Sequence, residues 1–188
     1  MKTISTILDD AKTTPEVETT FTTIQEELNA PFVPNFFKVW ASVPDTLKGI
    51  FPVMQHILTE GVLDRKLKEM IMIAISSSRD CVYCEIAHQV FCSMAGGEEA
   101  QIASLKKNAT LPESADPMEK AAIDYAVRLS KDPKSSSQKD FDHLMKLGYS
   151  EPQIMEMIAM SGMGVFYNHL ADATKINIDE EFSGVTTA

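Results

Sequence analysis

The 188 residues predict an all-α protein, a multi-helix bundle built as one domain. Three observations carry that expectation. Apolar residues recur every three to four positions along most of the chain, and no stretch alternates apolar with polar residues between hairpin turns. The third is Met70–Ile75, apolar on every face, as the central helix of a bundle must be. A composition of 44% hydrophobic and 23% charged residues is that of an ordinary folded domain.

Thr14-Pro15 opens the first helix, a capping hydroxyl followed by a proline at the first helical position. Val17, Phe21, Ile24 and Leu28 form its stripe, and Ala30-Pro31 stops it. Pro34 to Trp40 reads as a short aromatic-rich helix. Pro44-Asp45 starts the next, with Leu47, Ile50, Phe51, Met54 and Leu58 on one side and Gly61 closing it. Asp64 caps the buried helix. Ser76 to Asp80 breaks the apolar run, and Asp80 is expected to cap a helix from Cys81 to Ala95 that Gly96-Gly97 ends. A short helix spans Glu98 to Lys106, and a polar loop through Pro112 and Ser114 leads to Asp116-Pro117. There a helix begins with Met118, Ala122, Tyr125, Ala126 and Leu129 as its stripe. Lys131 to Gln138 is a loop, and Phe141, Leu144, Met145 and Gly148 mark a small helix. Ser150-x-x-Gln153 is a capping box for the last long helix, carried through Ile154, Met157, Ile158 and Phe166.

About eight helices result. The 11 methionines lie mostly on the stripes, as adaptable core filler. Glu69-Met70-Ile71 is echoed by Glu156-Met157-Ile158, a hint of a duplicated helical unit. Residues 1–188 are one domain: 1–32 an N-terminal arm and helix, 33–176 the helical core, 177–188 a C-terminal tail.

Seventeen Lys and Arg against 27 Asp and Glu leave a net charge of -10, which repels phosphate backbones and anionic headgroups, so nucleic-acid and membrane-surface roles are disfavoured. The start reaches Asp9 and Asp10 before any apolar run, unlike a signal peptide, and a cytoplasmic protein is expected. The longest stretch without a full charge, Met157 to Ala171, falls short of the roughly 18 residues that span a bilayer. Three cysteines argue against a disulfide framework and turn attention to reactive or buried thiols.

Those thiols concentrate in Cys81-Val82-Tyr83-Cys84-Glu85-Ile86-Ala87-His88, with Cys92 one turn further on. Residues three apart on a helix have Cα atoms about 5 Å apart, within the span of a disulfide, so Cys81 and Cys84 can pair. Cys92, about 12 Å of rise beyond Cys84, cannot join that bond and reads as a small buried hydrophobe. His88 follows Cys84 by four residues on the same face, where its imidazole can take the thiol proton and hold the thiolate as an ion pair. A carboxylate behind the ring would fix its tautomer and stabilise its cation. Glu69, the acid at the head of the buried helix, is the candidate; the plainer reading is a solvated first-turn glutamate favoured by the helix dipole. As zinc ligands Cys81, Cys84, His88 and Cys92 would spread over about 16 Å of helix axis, too far to converge on bonds of about 2.0 to 2.3 Å. Covalent haem needs His where Glu85 stands, and a thioredoxin site needs a preceding strand. No cofactor is called for.

The pattern Glu69-x11-Cys81-x2-Cys84-x3-His88-x7-Gly96 resembles the alkylhydroperoxidase D branch of the carboxymuconolactone decarboxylase superfamily, and Val33-Pro34-Asn35-Phe36-Phe37 resembles its peroxidase-related subgroup. The resemblance runs from about Val33 to Asp172. It implies a helical bundle with a duplicated core, assembled into trimers or hexamers, and thiol-based reduction of organic hydroperoxides with recharging by a lipoylated partner protein. Its catalytic Glu, two Cys and His fall on Glu69, Cys81, Cys84 and His88. One departure is Tyr83, where alkylhydroperoxidase D carries a second His, which bears on the proton relay and the reductant. The decarboxylases of the superfamily lack the paired cysteines.

The expected chemistry has His88, supported by Glu69, deprotonating Cys84, which attacks the terminal peroxide oxygen and becomes a sulfenic acid; Cys81 then condenses with it. Helix-end electrostatics would favour Cys81 as the attacking sulfur instead. A redox switch without peroxide turnover, and a decarboxylase-type enzyme, are the rivals. Val33, Phe36, Phe37 and Trp40 would bury a subunit contact rather than line a substrate pocket.

Overall fold

The computed structural model describes residues 13–185, so Asp9, Asp10 and the final three residues of the expected tail lie outside the described residues. Among the described residues no strand occurs. The helices are α1 (Pro15–Leu28), α2 (Asn35–Lys38), α3 (Pro44–Thr59), α4 (Arg65–Ser77), α5 (Val82–Met94), α6 (Glu99–Asn108), α7 (Pro117–Lys131), α8 (Gln138–Leu147) and α9 (Glu151–Thr174). Tight 3-10 turns lie at Val39–Ser42, Pro133–Ser135 and Glu180–Val185. The all-α expectation is borne out. None of these helices is long and apolar enough to cross a membrane.

Most caps are the ones the sequence predicts. Thr14 accepts from the Val17 amide (3.3 Å), Asp64 from Lys66 (2.9 Å) and Asp116 from Met118 (2.7 Å), while Ser150 and Gln153 form the capping box. Asp80 is the exception and corrects the expected cap. It sits in the left-handed region, at φ 58°, and ends α4 instead of starting α5. Cys81 donates its amide to Ser76 O (3.0 Å) and Asp80 donates to Ser77 O (3.2 Å), the paired bonds of a Schellman turn. The short polar side chain of Asp tolerates this conformation better than most residues do. Cys81 thereby becomes the residue before α5, at φ -85° and ψ 91°, outside the helix proper.

The centre of the fold is α4, buried from Leu67 to Ser76 and enclosed by α5, α6, α7 and α9. Gly164 sets how closely α9 can approach: a Cβ there would stand 3.0 Å from Ile75 Cγ2. Tyr167 and Asn168, three and four residues on, follow on the same face of α9. A second apolar cluster of Val17, Phe21, Ile24, Val33, Ala41, Leu47 and Phe51 joins α1 to α3, and Phe37 and Trp40 pack against both clusters. Met54, Met70, Met72, Met157 and Met160 are buried filler, whereas Met94, Met145 and Met155 are exposed. The segment expected as a tail packs inward, with Asp179 and Phe182 buried.

One charged cluster is buried beside the core. Lys68 has no exposed surface, donates to Glu60 O and lies 3.2 Å from Glu156, whose carboxylate accepts the amides of Val62 (2.7 Å) and Leu63 (2.8 Å). Gly61 turns the chain here at φ 82°, and a Cβ would overlap the Glu156 carboxyl. Glu156 therefore pins the α3–α4 loop, a different task from that of Glu69, and the sequence echo between the two does not extend to chemistry.

The two amides and Lys68 outweigh burial and hold Glu156 below the ordinary glutamate value near 4.5. A depressed folded value contributes stability above the unfolded value that is lost as pH falls through the folded one. Glu156→Gln should lower stability at neutral pH and shrink its loss on acidification, read from urea unfolding between pH 3.5 and 7; an unchanged pH profile would remove this role.

Candidate active site

The Schellman turn after α4 reverses the chain so that the head of α5 lies against the buried face of α4. Cys84 is the third residue of α5, and His88 lies one turn further along the same face. Glu69 comes from α4, fully buried, with its Oε2 2.6 Å from His88 Nδ1. With the carboxylate accepting, Nδ1 carries the hydrogen and Nε2 is left as a base. Arg65, one turn before Glu69, forms an ion pair with the other carboxylate oxygen. This arrangement replaces the solvated first-turn glutamate with a buried Arg65–Glu69–His88 chain. The i,i+4 spacing of Arg65 and Glu69 is the sequence signal that would have added Arg65 to the site.

All three cysteines are buried free thiols. The side chains of Cys81 and Cys84 lie close together, with Cys81 reaching in from the position before the helix. The neighbouring Cys81 thiol and burial push the Cys84 thiol well above the ordinary range, and the Asn168 amide works the other way. Asn168 is fully buried on α9, and its Nδ2 also donates to Ser76 Oγ (3.0 Å). Cys92 stands apart, fully buried against Gly97, with its thiol pushed up to about 12 chiefly by burial. The reading of Cys92 as a small hydrophobe fits that placement.

Cys84 and His88 open onto a cavity of about 70 Å3. Its apolar wall includes Phe37, Phe51, Met54, Phe91 and Phe182, and Arg65, Tyr83 and Tyr167 also line it. Phe36 and Phe37 line it, the pocket alternative to the subunit contact expected of Val33, Phe36, Phe37 and Trp40. The reason is the turn at Pro34, which folds the aromatic segment back over the head of α5. Val33 enters the α1–α3 cluster instead, and Trp40 packs against Phe166.

Tyr83, the departure from the family pattern, has a structural task. Its hydroxyl donates to Asp179 Oδ2 (2.7 Å) and accepts from the Phe36 amide (3.0 Å), while Asp179 Oδ1 accepts from the Asn35 amide (2.8 Å). This knot fastens Asn35–Phe36 and the C-terminal segment to the cysteine motif. Burial and the Asp179 charge push the Tyr83 phenol well up, so it stays a donor. Asn168, Tyr167, Asp179 and Phe182 lie beyond the sequence reading, in which the last helix runs to Phe166 and the residues from 177 form a tail.

Residues 44–127 match the model of the carboxymuconolactone decarboxylase family. No curated protein sequence matches the chain. Among solved structures it is similar to a peroxidase-related protein with an alkylhydroperoxidase AhpD core from Ralstonia eutropha JMP134 (TM-score 0.86, 22% identity, covering 96% of this chain and 94% of that one). A peroxidase-related protein from Silicibacter sp. TM1040 is comparable (TM-score 0.85, 22% identity, 97% and 94% covered). The debrominase Bmp8, solved with 2,3,4-tribromopyrrole, follows at TM-score 0.75 and 21% identity, with 98% and 96% covered. The resemblance read from the cysteine motif is borne out: residues 44–127 match the carboxymuconolactone decarboxylase family model, and the fold is alkylhydroperoxidase D-like.

Two outcomes follow from the site's hydrogen bonds. Asn168→Leu removes the buried amide that lowers the Cys84 thiol and should move the pH midpoint of Cys84 alkylation by iodoacetamide upward, read by peptide mapping; an unmoved midpoint would exclude that influence. Tyr83→Phe strands a buried carboxylate oxygen and the Phe36 amide and should cost about 2 kcal/mol in urea unfolding, whereas a loss within error would show the knot to be dispensable.

Proposed function

We propose that the protein is a thiol-dependent peroxidase that reduces organic hydroperoxides through a Cys81–Cys84 dithiol and disulfide cycle. The observation that carries this reading is the buried Glu69–His88 pair, one turn along α5 from two neighbouring thiols, of which Cys84 opens with His88 onto an apolar cavity. Cys84 is the attacking sulfur in this scheme because it, unlike Cys81, lines the cavity. Burial and Cys81 hold its proton on, so a base is required, and His88 Nε2 supplies it while Glu69 stabilises the imidazolium.

The Cys84 thiolate attacks the terminal oxygen of R–O–OH; an S–O bond forms, the O–O bond breaks, and the alkoxide takes the proton from His88. Cys81 then attacks the sulfenic acid and expels water, giving the disulfide. The sum is two thiols and ROOH to a disulfide, ROH and water. An outside dithiol, such as a lipoyl group on a partner protein, returns the pair to thiols by exchange. The apolar wall favours alkyl or aryl hydroperoxides. A homo-oligomer, trimer or hexamer, and a cytoplasmic location belong to the same reading.

The aromatic character of the wall supports a second reading, reductive debromination of a bromopyrrole, in which the same dithiol is oxidised as bromide leaves and a proton replaces it. Following loss of tert-butyl hydroperoxide and of a bromopyrrole with excess dithiol separates the two. Wild type should consume the peroxide, Cys84→Ser should not, and His88→Ala should fall by about 10²- to 10⁴-fold. Peroxide turnover unchanged in Cys84→Ser would remove the nucleophile. Bromopyrrole consumption without peroxide loss would move the function to debromination, thiol oxidation without turnover would leave a redox switch, and an activity that survives blocking both thiols would point to a decarboxylase-type enzyme.

A further inference from the structure

The chain has four tyrosines, and three of them satisfy their hydroxyls within the protein. Tyr83 pairs with Asp179 and the Phe36 amide, Tyr125 with Ser136 Oγ (2.9 Å), and Tyr149 with Met118 O (3.1 Å). Tyr167 is 5% exposed, yet its hydroxyl makes no hydrogen bond to any described residue. A buried tyrosine ordinarily finds a partner for its O–H, and one that does not calls for an explanation.

Position supplies the explanation. Tyr167 lines the same cavity as Cys84 and His88, and its oxygen is not among the unpartnered atoms sealed inside the protein. The ring is fixed on two sides: parallel to His88 at 6.4 Å and 5°, and edge-on to Phe36 at 5.1 Å. Gly164 holds this stretch of α9 close to α4. A rigid ring thus offers an unused donor beside the proposed nucleophile and base.

Resting on the peroxidase reading above, we propose that Tyr167 donates a hydrogen bond to the inner oxygen of the bound hydroperoxide, the atom that leaves as alkoxide. As Cys84 forms its bond to the terminal oxygen, the O–O electron pair collapses onto that inner oxygen; the Tyr167 O–H meets the developing charge, and His88 returns the proton that it took from Cys84. Tyr167 keeps its own proton throughout. Burial and the charges of Glu69 and Cys84 push the phenol far above its ordinary value, which suits a donor that never competes as a base. The inference adds a substrate-contacting group and a selectivity: the donor matters most where the leaving oxygen is strongly basic.

The test mixes fully reduced protein with one oxidant at a time and follows thiol oxidation in wild type and Tyr167→Phe. The two oxidants are tert-butyl hydroperoxide, whose leaving group is a basic alkoxide, and peracetic acid, whose leaving group is a weakly basic carboxylate. Loss of one donor should slow the alkyl hydroperoxide on the order of 100-fold and leave peracetic acid nearly as fast, with the pH profile of Cys84 alkylation unmoved. Equal losses for both oxidants, or no loss, would overturn the assignment. A wild-type protein whose thiols resist both oxidants removes the peroxidase reading itself and this inference with it, so the two failures are told apart.

Discussion

The contact between Glu69 and His88 is the constraint around which the rest is arranged. It joins the most buried helix to the cysteine helix at 2.6 Å, in a core otherwise built from Met70, Ile71, Met72, Ile73 and Ile75. Burying a carboxylate costs several kcal/mol even after relaxation, which only a partner with good geometry and further hydrogen bonds repays. Arg65 and His88 are those partners. A glutamate with no task in the site would be cheaper as a methionine. The pair also explains why α5 must lie against α4 at this register: sliding it by one residue would take both the imidazole and Cys84 off the shared face.

The second dependence runs through Tyr83. The residue between the two cysteines of the motif is a convenient place to anchor neighbouring segments, because any shift of the motif then shifts the cavity wall with it. The Tyr83–Asp179–Asn35 knot brings Phe36 and Phe182 over the site, and Phe182 meets Tyr83 at 6.5 Å and Phe91 at 5.8 Å. Where the family's alkylhydroperoxidase D carries a histidine, this chain exchanges a titratable ring for a structural fastener. In the proposed cycle the proton chemistry is then left to His88 and Glu69.

Local rules recovered most of the fold. The helices, their caps at Thr14, Asp64, Asp116 and Ser150, and the buried run of α4 follow from periodicity and end signals that act within a few residues. The four-residue spacing of Cys84 and His88 was legible for the same reason, whereas Glu69 rested on the family resemblance, its contact to His88 spanning 19 residues of sequence. What escaped depends on contacts between distant segments. Asp80 looks like a cap until the Schellman turn after α4 claims it. Asn168 and Tyr167 are ordinary side chains on a helical stripe until Gly164 lets α9 close on α4. Asp179 reads as one more surface acid until Tyr83 and the Asn35 amide surround it.

That misread turn carries a consequence for the proposed cycle. Two cysteines locked three apart within a continuous helix would have to distort hydrogen-bonded backbone to change their separation. Cys81 instead stands just before α5, in extended backbone after a left-handed Asp80, and its side chain makes no capping bond to the helix. Its sulfur can therefore approach or leave Cys84 by rotation of its own side chain while α5, His88 and the contact to Glu69 stay in place. A dithiol that is to open and close many times without disturbing its own base requires this separation of the moving sulfur from the fixed one, and one left-handed residue supplies it.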